Sequence, residues 1–456
     1  MKINRIMIAA PKSGSGKTTV TCALLQVLKE NGWQTSSYKC GPDFIDPMFH
    51  EKVLHVPSKN LDTFFTGEEK TRELFCCHAQ KTDFAVLEGV MGLYDGLSGT
   101  HEEGSSYHLA KVTKTPIVLV VDAAGMGRSV IALIAGFLDY DKEHLIQGVI
   151  LNRISKGYYE VIKPLIEEEL KIRVAGFLPK NEEFHIGSRH LGLVMPGELH
   201  DIQKKLRDIS EEFSKTVSIA SIIEIANQAE ELKISEKTNP GKCETGRAVI
   251  AVAKDEAFCF YYMDNIRELE ENGAKVVFFS PLHDEKLPDN CHALLLGGGY
   301  PEIYAKELSA NRKMRTAIKN AADVGMPIVA ECGGFMYLHT ALKDKEGVCH
   351  DMAGVIPATC HYTGKLVRFG YIELQEKQSY FLPEGERIKG HEFHYFDSTD
   401  NGADATAIKP ATGKGYSCMI EDGNRCMGFP HLYYPSNPAF AKAFVEKAAR
   451  YREGRG

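Results

Sequence analysis

Residues 11–18 read Pro-Lys-Ser-Gly-Ser-Gly-Lys-Thr, between an apolar run at 6–10 and a helical pattern at 18–30. This is the phosphate-loop pattern G-x-x-x-x-G-K-[ST] with Pro11 in place of the first glycine. The pattern restricts the fold more than any other stretch of the chain. A strand must deliver the backbone into a tight turn and a helix must leave it, so that N–H groups and the helix N-terminus converge on an anion. Gly14 and Gly16 supply the backbone freedom. Lys17 would bridge β- and γ-phosphates, and the Thr18 hydroxyl would give an oxygen to Mg²⁺. An ordinary strand–helix turn requires none of these residues, and Thr19 extends the run to Gly-Lys-Thr-Thr.

The flanking pattern predicts an α/β fold. Apolar runs at 84–87, 117–121, 148–151 and 174–178 read as buried strands, and 129–138 and 160–170 as helices. Continuous apolar strands alternating with helices imply a parallel sheet covered on both faces. The stretch SEKTNPGKCETGR is polar and aperiodic, so the domains are placed at 1–234 and 247–456, with a linker at 235–246. The strand–helix pattern then restarts, with strands at 248–253, 275–279, 293–296 and 327–330 and helices at 263–272 and 306–324. Residues 355–426 read as strands of a mixed sheet.

Carboxylates gather where ligands bind in open α/β sheets, at or just past strand ends beside glycines. Glu88 closes an apolar strand in Leu-Glu-Gly, Asp43 follows Gly41-Pro42 with Asp46 three residues on, and Asp95 lies in Gly-Leu-Tyr-Asp-Gly. Glu88 and Asp43, with Thr18, are the predicted Mg²⁺ ligands.

The second half carries a different chemistry. An apolar strand runs into Glu331-Cys332-Gly333-Gly334 and then a helical pattern, which has the form of a nucleophile elbow. The helix N-terminus is expected to lower the thiol pKa. Leu296-Gly297-Gly298-Gly299 is a second strand-to-glycine turn, so the N–H groups of Gly298, Gly299 and Gly333 are candidates for an oxyanion hole. His431, in Gly-Phe-Pro-His, offers the base. A lone cysteine is usually a small core residue, but not at such a turn with two glycine runs.

These motifs carry a resemblance. Lys12 early in the loop is similar to the deviant phosphate loop of the MinD, ParA and dethiobiotin-synthetase-like ATPases. The half around Cys332 resembles the triad (class I) glutamine amidotransferases. Together APKSGSGKTT, KCGPDFIDP, LEGVMGLYDG, RHLGLVMPGE, LLLGGGYPE, ECGGFMYL, GHEFHY and GFPHLYYPSNP resemble the CobB/CobQ-type glutamine amidotransferase family over nearly the whole chain. The resemblance implies an N-terminal P-loop domain with a parallel sheet and a C-terminal amidotransferase-like α/β domain. It implies an ATP-hydrolysing ligase that forms C–N bonds with L-glutamine as nitrogen donor. Its acceptors would be the a- and c-acetates of cobyrinate or a related tetrapyrrole acid. Lys12, Gly14, Gly16, Lys17, Thr18, Thr19 and Asn152 would hold ATP. Cys332 and His431 would release ammonia, and Asp95 would orient the acetate or its acyl phosphate. Tyr94, Arg368, His391 and His394 would line the substrate site. The family pattern departs from the commoner triad enzymes at Tyr433, where those carry glutamate two residues after the histidine; what orients His431 is left open.

Composition narrows the rest. Among 456 residues the net charge is −7, which argues against a nucleic-acid partner. No apolar run approaches the ~20 residues of a membrane span. Twelve cysteines without repeating spacing predict a reducing, cytoplasmic compartment. His391-Glu-Phe-His394 lacks the H-E-x-x-H spacing, so zinc is not expected there. A homodimer is compatible with these features. Two other readings stay open: the same chemistry on Ni-sirohydrochlorin, and a MinD/ParA-type ATPase switch, which would not need the cysteine elbow.

Overall fold

The computed structural model describes residues 2–184, 199–233, 246 and 248–454. Most of the predicted linker and the motif RHLGLVMPGE lie outside the described residues. The chain divides into two compact units, 1–237 and 238–456.

The first unit is built on a seven-stranded sheet in the order β3-β2-β4-β1-β5-β6-β7. The strands are β1 (Asn4–Ala9), β2 (Thr35–Cys40), β3 (Ser58–Leu61), β4 (Phe84–Glu88), β5 (Ile117–Asp122), β6 (Ile146–Asn152) and β7 (Arg173–Leu178). Every pairing is parallel. Side-chain alternation explains the double cover. Ile6 and Ile8 join one core with Val118 and Val120, while Met7 and Ala9 join the other with Ile117, Leu119 and Val121. Each buried isoleucine, valine, leucine or methionine among these contributes about 1.5–3 kcal/mol. Strand order reverses at β1, which lies between β4 and β5, so the loop after β1 opens at the switch point where α/β sheets take ligands.

The second unit centres on a six-stranded sheet. Ala274–Phe279, Ala248–Ala253, Ala293–Leu296, Ile328–Glu331 and Arg425–Gly428 run parallel in that order, and Ile420–Glu421 closes the edge antiparallel. Smaller sheets of four and five strands occupy the region read as mixed β. In the five-stranded sheet the short strand His431–Leu432 pairs with Arg387–His394, which sets His431 directly opposite His391.

The structure departs from the predicted elements in several places. The single helix at 306–324 is two helices, Ala305–Ala310 and Arg312–Asp323, because the Asn311 side chain caps the second by accepting from Met314 N at 3.3 Å. The helices Thr63–Ala79 and Leu199–Thr216 were not predicted. The first is interrupted by Gly67 in the left-handed region (φ 67°), which masks its period. Among the described residues no helix is long and apolar enough to cross a membrane.

Candidate active sites

The helix Lys17–Glu30 leaves β1 through two left-handed glycines, Gly14 (φ 76°) and Gly16 (φ 100°). Gly16 has a second constraint: a Cβ there would lie 2.2 Å from Asn152 Nδ2. That Asn152 amide donates to Ser15 O at 2.8 Å, so a residue expected to hold ATP also braces the loop backbone. Arg153 adds a further strut, bonding Asp122 at 2.8 Å and Gly14 O at 3.0 Å. Lys12 is exposed at the loop's start, and the Thr19 hydroxyl donates to Phe184 O at 3.5 Å.

Beneath the loop is a buried charge cluster. Thr18 Oγ1 donates to Glu88 Oε1 at 2.7 Å, and Lys39 Nζ reaches the same oxygen at 3.0 Å. Lys39 also pairs closely with Asp46, and stands 3.9 Å from Asp43. His50 Nε2 lies 3.5 Å from Glu88 Oε2. Burial opposes charge on Lys39, but Asp46, Glu88 and Asp43 outweigh it and hold the amine well above its ordinary range. Burial pushes Glu88 up to about 7 against the pull of Lys39. Burial and the neighbouring Lys39 bring Lys17 down to about 8, and its Nζ donates to Met91 O at 2.5 Å.

Asp46, rather than the predicted ligand Asp43, makes the closer pairing with Lys39 in this cluster. Asp43 uses Oδ1 to accept from Ile45 N at 2.7 Å and Asp46 N at 3.3 Å, closing the turn before the helix Ile45–Lys52. Lys39 and His50 were not singled out as site residues, because a lysine at the end of a serine-rich strand shows nothing of what it will be buried among. The donor set suits Mg²⁺: a hydroxyl and carboxylate oxygens, with Glu88 Oε2 free of hydrogen bonds. Among the described residues no three His, Cys, Asp or Glu side chains form a metal cage by themselves, so phosphate oxygens would complete the shell.

The loop after β4 folds over the phosphate loop, with Leu93 N donating to Ala10 O at 2.8 Å. Asp95 Oδ2 accepts from Gly92 N at 2.9 Å and adds to the negative field on Lys17. Tyr94 stacks on Phe137 at 5.6 Å and donates to its carbonyl at 3.1 Å. Tyr94 and Asp95 share a cavity of about 560 Å³ with Thr100, His101, Glu102 and Tyr140.

In the second unit, Ile328–Glu331 ends at Cys332, whose φ of 46° and ψ of −101° make it a strained elbow, and the six-residue helix Gly333–Leu338 follows. The glycines have a packing reason. A Cβ at Gly334 would lie 2.1 Å from Leu296 O, so only glycine lets the elbow sit on the neighbouring strand end. Gly334→Ala should therefore lower stability by about 1–3 kcal/mol. Calorimetry would check this, and an unchanged unfolding midpoint would mean that the strand end yields freely. Atoms built at Gly333 and Gly298 locate the other parts: the first would be 3.0 Å from Gly299 N, the second 2.3 Å from His431 Cε1. The elbow, the glycine turn and the histidine thus converge.

Electrostatics at the elbow differ from expectation. Burial, then Glu302, push the Cys332 thiol well above its ordinary value. A helix of six residues does not outweigh that desolvation. Burial and His394 hold His431 down to about 3, so it is a neutral base at neutral pH. His391 stacks on His431 at 4.9 Å and 15°, and bonds the Tyr262 hydroxyl through Nδ1 at 3.1 Å. His394 lies flat on Phe429 at 4.0 Å and bonds Phe396 O at 2.7 Å. Arg368 places its guanidinium 3.6 Å over the Tyr416 ring and stands opposite His394 in the strand pairing. His391 is thus packed on His431 and His394 on Phe429, while Arg368 is half-buried opposite His394.

Known proteins agree with this division of the chain. Residues 6–194 match the CobQ/CobB/MinD/ParA nucleotide binding domain, and residues 249–433 the CobB/CobQ-like glutamine amidotransferase domain. Cobyrinate a,c-diamide synthase of Caldanaerobacter subterraneus subsp. tengcongensis is 39% identical over 98% of this chain and 98% of its own. The proteins of that name from Thermoplasma volcanium and Listeria innocua are 39% and 38% identical, covering 100% and 96% of this chain and 99% and 98% of their own. A nucleotide-binding unit joined to a glutamine amidotransferase unit, matched from end to end, makes this chain a member of the cobyrinate a,c-diamide synthase family of ATP-dependent, amide-forming ligases.

Proposed function

We propose that the protein amidates the a- and c-acetate carboxylates of cobyrinate, with ATP as activator and glutamine as nitrogen source, in corrin biosynthesis. One observation carries the reading: a single chain joins a phosphate loop set over a Thr18–Glu88–Lys39 cluster to a Cys332 elbow with a neutral histidine beside it. A MinD/ParA-type switch has no use for the second site. The reading assigns 1–234 to the synthetase domain, 235–246 to the linker and 247–456 to the amidotransferase domain. All described cysteines are free thiols, which supports a reducing, cytoplasmic setting.

A carboxylate is a poor electrophile, so the acetate oxygen first takes the γ-phosphoryl group of ATP, releasing ADP. Lys17 and the loop N–H groups hold the phosphates, while Thr18, Glu88 and Asp46 or Asp43 would hold Mg²⁺. When bound, Mg²⁺ neutralises phosphate charge. In the amidotransferase domain the Cys332 thiol attacks the glutamine amide carbon, giving its proton by way of His431 to the departing ammonia. The N–H groups of Gly298, Gly299 and Gly333 stabilise the oxyanion. Water then frees glutamate from the thioester. Ammonia attacks the acyl phosphate carbon, the bond to phosphate breaks, and loss of a proton leaves the amide.

The substrate assignment is tested by incubating the purified protein with ATP, glutamine and either cobyrinate or Ni-sirohydrochlorin, with mass detection of amides. A diamide from cobyrinate is expected; amidation of the nickel macrocycle alone would overturn the assignment. Asp95→Asn probes the acceptor side. Asparagine keeps an oxygen for Gly92 N but loses the charge, so amidation should fall by about tenfold or more while nucleotide affinity stays within about threefold. Equal losses in both would move Asp95 out of the acceptor's reach.

A further inference from the structure

Tyr433 occupies the place where commoner triad enzymes carry the glutamate that orients the histidine, and its hydroxyl is turned elsewhere, donating to Asp264 at 3.0 Å. The position is therefore not filled by Tyr433 acting on His431. A different carboxylate stands at the ring. Glu331 immediately precedes the nucleophile, is 6% exposed, and brings Oε2 to 3.9 Å from His431 Nδ1. Its other oxygen, Oε1, accepts from Leu432 N at 3.3 Å, which ties the carboxyl to the short strand that carries His431. The opposite constraint on the ring is His391, stacked at 4.9 Å.

We propose that Glu331 is the positioning residue for His431: it takes the Nδ1 proton side of the imidazole and leaves Nε2 to the Cys332 thiol. The inference rests on the glutaminase reading of Cys332. Its geometry has a simple origin. In the commoner arrangement the carboxylate arrives from the histidine's side of the site. Here it arrives from the nucleophile's strand, because the residue before the elbow points from that strand end towards the paired strand of His431. The 3.9 Å separation is that of a resting pair, and such contacts tighten when charge develops. When His431 accepts the thiol proton, the imidazolium faces a carboxyl whose partner oxygen is already fixed. Burial holds Glu331 up to about 8, so the carboxylate form that accepts from Nδ1 grows in as the pH rises towards that value, and it is this form that pairs with the imidazolium when the thiol proton arrives.

The test uses the full-length enzyme with cobyrinate, ATP and either glutamine or ammonium salt. Glu331→Gln should lower glutamine-supported kcat by about 100-fold or more, leave KM for glutamine within about threefold, and leave ammonium-supported amidation unchanged. Glu331→Asp, which keeps the charge on a shorter arm, should recover part of the loss, and Tyr433→Phe should cost less than about threefold. A Glu331→Gln enzyme with glutamine-supported kcat within threefold overturns the proposal. So does a uniform loss of kcat, KM and ammonium-supported activity without recovery by Glu331→Asp, since that marks a purely structural carboxyl. Cys332→Ala separates the levels: if it retains glutamine-supported activity, the glutaminase reading itself fails, and if it alone is dead, only the role of Glu331 does.

Discussion

Cys332→Ala is expected to abolish glutamine-supported amidation while ammonium-supported amidation at alkaline pH survives. The substitution removes one sulfur from the elbow and leaves Gly333, Gly334 and the packing on Leu296 in place, so the second unit should fold as before. The loss should be on the order of 10⁴-fold or more, because no other group at the elbow can form the thioester. A pH experiment adds a sign. With burial pushing the thiol above its ordinary range and His431 held down to about 3, the resting pair at neutral pH is thiol and imidazole rather than thiolate and imidazolium. Alkylation of Cys332 by iodoacetamide should then be slow at pH 7 and rise through the alkaline range, with Cys332→Ala as blank. A rate already level below pH 8 would mean that the thiolate exists before glutamine binds, and the order of proton transfer given above would be wrong. Loss of both nitrogen sources in a folded Cys332→Ala enzyme would end the division of labour.

The sequence makes the backbone frame of both sites legible because each is written locally. The phosphate loop, the elbow and the glycine turn after Leu296 are contiguous strings whose strand and helix flanks follow from periodicity, and strands such as Ala248–Ala253 and Ala293–Leu296 fall where the apolar runs place them. What periodicity does not carry is tertiary pairing. Lys39 lies in a polar strand, Thr35–Cys40, whose burial comes from its neighbours in the sheet, so its contact with Glu88 and Asp46 has no local signature. Glu331 stands in the quoted elbow motif, yet its approach to His431 depends on two strands from different sheets. The thiol shift of Cys332 is likewise a burial effect, which a short helix following a cysteine cannot reveal. Asn152 stands at the predicted strand end, and its amide donates to Ser15 O, a contact that depends on how the loop folds back over the strand and so has no local signature.

Glu88→Gln is the complementary experiment, and it should depress amidation from glutamine and from ammonium alike. Glu88 is fully buried, and its Oε1 is shared between Thr18 at 2.7 Å and Lys39 at 3.0 Å. Glutamine keeps the size and one acceptor oxygen but carries no charge, so the site loses its most enclosed anion while Lys39 retains Asp46 as counter-ion. That retained pair is why the fold should survive: the lysine is not left buried and alone, the situation that costs several kcal/mol. The catalytic effect is larger than the structural one. Removing a charge that faces a phosphoryl group's metal typically costs on the order of 10²–10³-fold in rate, and the Mg²⁺ concentration for half-maximal activity should rise with it. ADP release and amide formation, followed over a Mg²⁺ series with each nitrogen source, would give both numbers. Unchanged rate and Mg²⁺ dependence would remove Glu88 from the site and leave Asp46 as the carboxylate to examine. Because activation precedes amide formation whatever the origin of the ammonia, the Glu88 and Cys332 variants must differ on ammonium salt: the first slow, the second active.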